Sequence, residues 1–332
     1  MRKILSFVII LVLLLTVCGC GGKSSDNTPT PNSSSEKAPT SSEQNVSGDD
    51  TSTYTEKDGV YVVQNKDDIT TFAIFSDAHI GQNKLYKRNL ETAIEWVNKT
   101  EAVDFTCFLG DNLDNGYYNQ TGVTEAQLAD FNDAIKLFKK PYFVLMGNHD
   151  HAVAQFNENY AIECGDVVFI GFFASYYTMD PENILKSNGR VSQFTLKWLE
   201  ETLAKCKGKR VILACHYSIV VDQPGFSSPI PKAQAVPKRD LAWVDFGREK
   251  ILELAEQYNI ELYFNGHEHN GNMPTGTAGI MTDFNIGSIG PGKVFALVTV
   301  DSEKAVVELR KANQADTVIK TVEYKFKKLI FK

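Results

Sequence analysis

The chain has 332 residues, of which 43% are hydrophobic and 23% are charged, and its formal net charge is −7. These values are ordinary for a globular protein and fit either one large domain or two small ones. A net negative charge with no basic stripe argues against tight binding to a nucleic-acid backbone, so nucleic acid is not a favoured partner.

The N-terminus has the pattern of a secretion signal. Two basic residues precede an unbroken apolar run over residues 4–17, which is short for a membrane span and typical of a signal-peptide core. The run ends in VCGC at 17–20, which resembles a bacterial lipoprotein cleavage box. A small glycine favours cleavage before Cys20, whereas a bulky valine disfavours Cys18. We therefore predict a lipoprotein signal peptide over 1–19 and lipidation of Cys20; an ordinary secretory signal is the alternative.

A polar segment follows the cysteines. Residues 23–53 contain no aromatic residue and no Leu, Ile or Met. Such a composition cannot bury enough apolar surface to offset its ordering entropy, so we predict a disordered, lipid-anchored linker over 20–55. The linker would tether a folded domain over 56–332 to the membrane, on the extracytoplasmic face of the cell.

Apolar runs then alternate with helical patterns. Strands are predicted at 71–76, 103–109, 142–146, 167–173, 210–215 and 260–265. Helices are predicted over 85–98, from Thr124, from about Ser192 and near 247–258. At Thr124 the hydroxyl and Gln127 form a capping-box pattern. Two alternating runs near the C-terminus predict a hairpin. This order of elements indicates a layered α/β domain.

Polar side chains follow the predicted strands at the point where each strand ends. All six histidines of the chain lie in these loops. Open α/β sheets build their sites at the carboxyl ends of strands. The candidate site residues in these loops are Asp77, His79, Asp111, Asn148, His149, His216, His267 and His269.

The residue types indicate metal chemistry. Carboxylate, amide and neutral imidazole groups suit borderline divalent ions such as Mn, Fe, Zn, Co or Ni. In tight turns, the pairs Asp77/His79 and His267/His269 can project to one side. Two such ions, joined by a bridging carboxylate and a bridging hydroxide and about 3.5–4 Å apart, form a clamp for in-line displacement at phosphorus.

The ordered set Asp-x-His, Gly-Asp-x-x-Asp, Gly-Asn-His-Asp, His and Gly-His-x-His, over residues 71–290, resembles the calcineurin-like metallophosphoesterase family. The resemblance implies a four-layer αββα sandwich and two divalent metal ions. It also implies how the ligands divide. One ion would be held by Asp77, His79 and His269, the other by Asn148, His216 and His267, and Asp111 would bridge both.

The resemblance gives His149 a different role. It would lie near the scissile phosphate, stabilising charge or protonating the leaving oxygen, oriented by a carboxylate, with Asp111 favoured. The sequence also resembles the purple acid phosphatases, but Asp114 stands where their tyrosine ligand would fall. We therefore expect Asp114 to support the site by hydrogen-bonding a loop amide or a ligand histidine.

Three function classes follow from these patterns. The first is a dimetal phosphoester hydrolase, a phosphodiesterase or a phosphatase, with the bridging hydroxide as nucleophile. The others are a non-catalytic lipoprotein binding module that retains the fold, and a metal-binding or structural surface protein. The first is favoured because no expected ligand is missing.

Loops at 117–120 and 224–237 could make room for a small phosphoester, but the sequence leaves monoester against diester open. It also leaves open the metal pair, the oligomeric state and any pairing among Cys107, Cys164, Cys206 and Cys215.

Overall fold

The computed structural model describes residues 54–65, 67–115, 122–150, 153–178, 187–220 and 243–327. The predicted signal peptide, Cys20 and almost all of the predicted linker lie outside the described residues. His151 and the loops at 117–120 and 224–237 lie outside them as well. Within the described part of the chain, every helix is too short or too polar to cross a membrane.

The described elements alternate largely as the sequence predicts. The helices are α1 (Lys84–Lys99), α2 (Val123–Ile135), α3 (Gln193–Lys205) and α4 (Arg248–Tyr258). The strands are β1 (Tyr54–Lys57), β2 (Val60–Val63), β3 (Thr70–Phe75), β4 (Phe105–Phe108), β5 (Tyr142–Val144), β6 (Asn159–Cys164), β7 (Val167–Phe172), β8 (Ser175–Thr178), β9 (Ser187–Arg190), β10 (Arg210–Ala214), β11 (Val244–Phe246), β12 (Leu262–Asn265), β13 (Gly276–Ala278), β14 (Met281–Asn285), β15 (Val294–Val300), β16 (Lys304–Lys311) and β17 (Gln314–Lys325).

Two large sheets carry the fold. One has the strand order β17-β16-β15-β3-β4-β5, in which β3, β4 and β5 run parallel. The other has the order β1-β2-β6-β7-β10-β12-β14-β13, in which β7, β10, β12 and β14 run parallel. A small third sheet joins β11, β9 and β8. The predicted C-terminal hairpin is the antiparallel pair β15–β16.

The two large sheets pack face to face between two pairs of helices. Phe72 and Ile74 of β3 join the apolar layer between the sheets, and Ala73 and Phe75 face α1 and α2 on the other side. The eight-stranded sheet is covered by α3 and α4 in the same way. Strands buried on both faces need apolar residues at consecutive positions, which explains their unbroken apolar runs. The four-layer αββα sandwich is confirmed.

The start of α2 differs from its prediction. The N-cap is Gly122, and no side chain caps the helix. The Thr124 hydroxyl donates to the carbonyl of Asn115 at 3.2 Å, and Gln127 Oε1 accepts from the Asn115 amide at 2.9 Å. The capping-box prediction was therefore wrong, because both side chains bind the loop after β4 instead of their own helix.

Candidate metal centre

Strands from both large sheets deliver the candidate residues to one place. The loops after β3, β4 and β5 carry Asp77 and His79, Asp111, and Asn148, respectively. The loops after β10 and β12 of the second sheet carry His216 and the pair His267 and His269. The site therefore forms where the carboxyl ends of two parallel strand sets meet, in agreement with the general rule for α/β sheets.

The backbone of these loops is unusual. Among the described residues, eight non-glycine positions have positive φ, and five of them are candidate ligands. Left-handed backbone is disfavoured for residues with a Cβ atom and persists where surrounding contacts determine it. Those five, with φ between 44° and 63°, are Asp77, His79, Asp111, His267 and His269.

The first cluster contains Asp77, His79 and His269. His269 Nε2 lies 3.0 Å from Asp77 Oδ1 and 3.1 Å from His79 Nε2. Ligand atoms of all three residues lie within 4.8 Å of one another. The carboxylate of Asp77 also accepts from the main-chain amide of His267 at 3.0 Å, so it ties the first cluster to the second.

The second cluster contains Asp111, His216 and His267, with Asn148 beside it. His216 Nε2 lies 3.1 Å from Asp111 Oδ2. His267 Nδ1 lies 3.2 Å from His216 Nε2 and 3.0 Å from Asn148 Oδ1. His216 Nδ1 donates to the carbonyl of Leu109 at 3.0 Å, which orients the ring and leaves Nε2 for a ligand, as metal-binding histidines require.

Charge within the clusters sets the protonation of the ligands. Burial raises the pKa of Asp77, but the nearby His269 and His216 lower it by a larger amount. The resulting pKa is about 2. Burial and the nearby His216 lower the pKa of His267 to about 3. Burial lowers the pKa of His216, but Asp111 and Asp77 raise it to about 9. The carboxylates are thus ionised and His267 is neutral at pH 7, whereas a metal ion binding at His216 would have to displace a proton.

His149 lies beside the clusters and is held by a main-chain carbonyl and a carboxylate. Its ring Nδ1 donates to the carbonyl of Asp114 at 2.5 Å, and its main-chain amide donates to Asp111 Oδ1 at 2.8 Å. Its Nε2 lies 3.9 Å from Asp111 Oδ2. The Asp114 carbonyl therefore orients the ring, while the Asp111 carboxylate favoured from the sequence binds the main chain of His149 and lies near its Nε2. Asp114 also places Oδ1 3.4 Å from Nδ1 of His79, which agrees with a supporting role.

One buried carboxylate went unassigned in the sequence. Asp150 accepts from the main-chain amides of Asn112, Leu113 and Gly147, each at 3.0 Å. It thereby locks the loop after β4 to the loop after β5. Its place directly after Asn148 and His149 in the Gly-Asn-His-Asp motif was the available signal. Its hydrogen-bond partners, 3 to 38 residues away, were not visible there.

The donor set fits divalent metal ions. Imidazole nitrogens and carboxylates form three overlapping groups that share His79 and Asp111, and the amide oxygen of Asn148 lies beside His267. Thiolates, which favour structural zinc sites, take no part. The four cysteines of the described chain are buried and free, and they are Cys107, Cys164, Cys206 and Cys215.

Comparison with known proteins agrees with this geometry. The profile of the calcineurin-like phosphoesterase family matches residues 70–271, which is more than half of the chain. The chain belongs to the calcineurin-like phosphoesterase family. Members of this family use a dimetal centre, and the two His/Asp clusters are groups that could hold it. The family assignment favours metal-dependent phosphoester hydrolysis over a non-catalytic binding module.

Two individual proteins illustrate the similarity. A probable glycerophosphodiester phosphodiesterase, GpdQ, from Arcobacter nitrofigilis is 28% identical over 176 residues, covering 50% of this chain and 56% of the relative. The chain thus spans about half the length of that curated relative. The structure of GAP50, the anchor in the inner membrane complex of Plasmodium, aligns with a TM-score of 0.51 at 15% identity, covering 79% of this chain and 90% of that one. This second likeness concerns the fold alone.

Proposed function

We propose that this phosphoesterase is a dimetal phosphodiesterase acting on small phosphodiesters. The main support for a dimetal centre is the position of Asp111 between the two clusters. Its Oδ2 lies 3.1 Å from His216 Nε2 and 3.9 Å from His79 Nε2. A single carboxylate within reach of histidines from both clusters is what a bridging ligand requires.

The ligand roles follow from this position. Asp77, His79 and His269 would hold one ion, and Asn148, His216 and His267 would hold the other. Asp111 would be a ligand to both, and its pKa favours this role. Burial raises the pKa of Asp111, but the nearby His216 lowers it by a larger amount. The pKa of Asp111 therefore lies well below its usual range. When bound, the two ions supply Lewis-acid stabilisation of the phosphoryl group and activation of water.

His149 acts on the leaving group. Because Nδ1 donates to the Asp114 carbonyl, Nε2 is the nitrogen that points toward Asp111 and the metal ligands. The side chain is 25% exposed, and its position is set by bonds to the Asp114 carbonyl and the Asp111 carboxylate. From there Nε2 can give a proton to the departing oxygen or stabilise its charge.

A diester substrate is supported by the named relative. The GpdQ-type protein is a probable glycerophosphodiester phosphodiesterase, and its similarity spans half of this chain. A small diester also agrees with a chain of net charge −7, which gives no basic stripe for a charged polymer. We therefore place glycerophosphodiesters and other small diesters ahead of monoesters.

The test compares kcat/KM for bis(p-nitrophenyl) phosphate and p-nitrophenyl phosphate at one pH, with Mn²⁺ added and with the protein stripped of metal. We expect metal-dependent turnover and a preference for the diester. A glycerophosphodiester assayed by release of its alcohol extends the comparison to a natural type of ester. A strong preference for the monoester contradicts the diester assignment and leaves a general phosphatase.

We also propose that the mature protein is lipid-anchored and faces outward from the membrane. The support is the sequence of the N-terminus, in which a basic pair, an apolar run and Cys20 follow one another. Replacing Cys20→Ser with Cys18 intact should abolish labelling by a radioactive fatty acid and change the size of the processed chain. Unchanged labelling contradicts the assignment of Cys20.

A further inference from the structure

A line of buried polar side chains runs behind the histidine loops. Asp283 and Asn285 belong to β14, Asn265 ends the neighbouring β12, and Ser218 follows β10 by four residues. Each is at most 1% exposed. Buried polar groups are costly unless they are hydrogen-bonded, so such a line needs a definite arrangement of donors and acceptors.

One end of the line holds the loop that carries His267 and His269. The amide nitrogen of Asn285 donates to the carbonyl of Gly266 at 2.5 Å, and its Oδ1 accepts from the main-chain amide of Gly271 at 3.1 Å. Gly266 and Gly271 are the residues that flank this loop. Because both partners are main-chain groups with defined polarity, the orientation of the Asn285 amide is determined.

The other end holds the loop that carries His216. Asp283 Oδ2 accepts from the Ser218 hydroxyl at 2.6 Å, from the Ile219 amide at 3.0 Å and from the Val220 amide at 3.3 Å. These residues begin two positions after His216. All three partners donate, so position 283 must present an acceptor on this side.

Asn265 connects the two ends and transmits the polarity. Asn285 Nδ2 donates to Asn265 Oδ1 at 2.7 Å. The Asn265 nitrogen therefore faces Asp283 Oδ1 and donates a hydrogen bond to it. Position 283 therefore meets donors on both sides. A carboxylate satisfies this arrangement, whereas an amide has to present a donor to one of them.

We propose that Asp283, Asn265 and Asn285 are positioning residues that set the relative placement of the His216 loop and the His267–His269 loop, and thereby the affinity for the metal ions. The inference rests on the proposed dimetal function. It adds that the hydrogen bonds among these three side chains fix the positions of the ligands after β10 and β12. The pairing of the two strands alone does not fix them. Loss of groups that orient ligands typically weakens metal binding about 10- to 100-fold.

The test uses a polarity swap in the full chain. Asp283→Asn leaves a donor facing the Asn265 nitrogen, so we expect Mn²⁺ affinity, measured by titration, to fall about 10- to 100-fold. Adding Asn265→Asp turns that position into an acceptor on both sides and keeps the net charge. The double variant should therefore recover most of the Mn²⁺ affinity. For Asp283→Asn the rate should return toward that of the unaltered protein at saturating Mn²⁺, which a general loss of folding would not produce.

The matched control is Glu261→Gln. Glu261 is a buried carboxylate directly before β12, away from the histidine loops, where it accepts from the Tyr324 hydroxyl at 3.1 Å and from the Lys327 amide at 3.0 Å. Its amide variant should lower the melting temperature and leave Mn²⁺ affinity unchanged. If Asp283→Asn does not fold, Ser218→Ala removes one donor to Asp283 and should weaken Mn²⁺ binding about 2- to 10-fold.

The outcomes separate the two proposals. If the unaltered protein does not bind two Mn²⁺ ions, the proposed dimetal function fails. If it binds two ions and Asp283→Asn, or Ser218→Ala in its place, binds them equally well, the positioning role is refuted. If the double variant binds Mn²⁺ no more tightly than Asp283→Asn, Asn265 does not connect the two ends of the hydrogen-bonded line.

Discussion

Gly147→Ala tests how closely the loops after β4 and β5 must approach. A Cβ atom at position 147 would lie 2.3 Å from both the main-chain nitrogen and Oδ1 of Asp111, against about 3.4 Å for ordinary contact. Asp111 would therefore have to move by about 1 Å. The same Oδ1 accepts from the His149 amide at 2.8 Å, so the movement disturbs that residue as well.

The magnitude follows from the role proposed for Asp111. A displacement of about 1 Å at a catalytic group can cost about 100-fold in rate, which corresponds to about 2.7 kcal/mol of activation free energy. Overpacking of a buried site adds about 1–3 kcal/mol of lost stability. Because Asp111 is the proposed bridge, the variant should also lose affinity for both ions, not for one.

The assay is turnover of bis(p-nitrophenyl) phosphate at saturating Mn²⁺, together with metal content by elemental analysis. The control is Gly208→Ala, where the new Cβ would meet no atom within 4 Å but the residue has φ +89°. That variant should lose about 1–2 kcal/mol of stability through backbone strain and keep two ions. If Gly147→Ala keeps two ions and a rate within about threefold of the unaltered protein, the close packing has no bearing on the bridge.

Three further predictions concern single residues. Asp111→Asn should weaken both metal sites, because a neutral amide replaces the bridge, whereas Asp77→Asn should mainly weaken one; elemental analysis would count the ions, and two ions with full activity in Asp111→Asn contradict the ligand scheme. His149→Ala should keep both ions and lose about 10²–10⁴ in rate, with a smaller loss for good leaving groups. An equal loss for good and poor leaving groups indicates charge stabilisation instead of proton donation. Burial raises the pKa of four thiols, to about 11 for one and about 12 for two, so iodoacetamide at pH 8 should label them only after unfolding, as mass spectrometry of peptides would show. The four thiols are those of Cys107, Cys164, Cys206 and Cys215. Labelling of any of them in the native protein contradicts their burial.

The sequence by itself determined the four helices, eight of the seventeen described strands and the identity of the site loops. A run such as β3 is apolar at every position because both of its faces are buried, and that pattern is local. The start of α3 near Ser192 was predicted for the same reason, and Ser192 caps the helix by accepting from the amide of Thr195, within one turn. Asp77 and His79 stand out for the same reason, since one short loop contains both.

Only the tertiary structure decided which groups hold those loops in place. Thr124 and Gln127 bind a loop 9 to 12 residues away, although their spacing is that of a cap. Asp283 meets the Ser218 hydroxyl and the two amides that follow it across 63 to 65 residues, because β10, β12 and β14 are neighbours in one sheet. A carboxylate within a strand has no local feature that marks it as the acceptor for a distant loop. Its hydrogen-bond partners are set when the strands pair in register, and that pairing depends on the whole sheet.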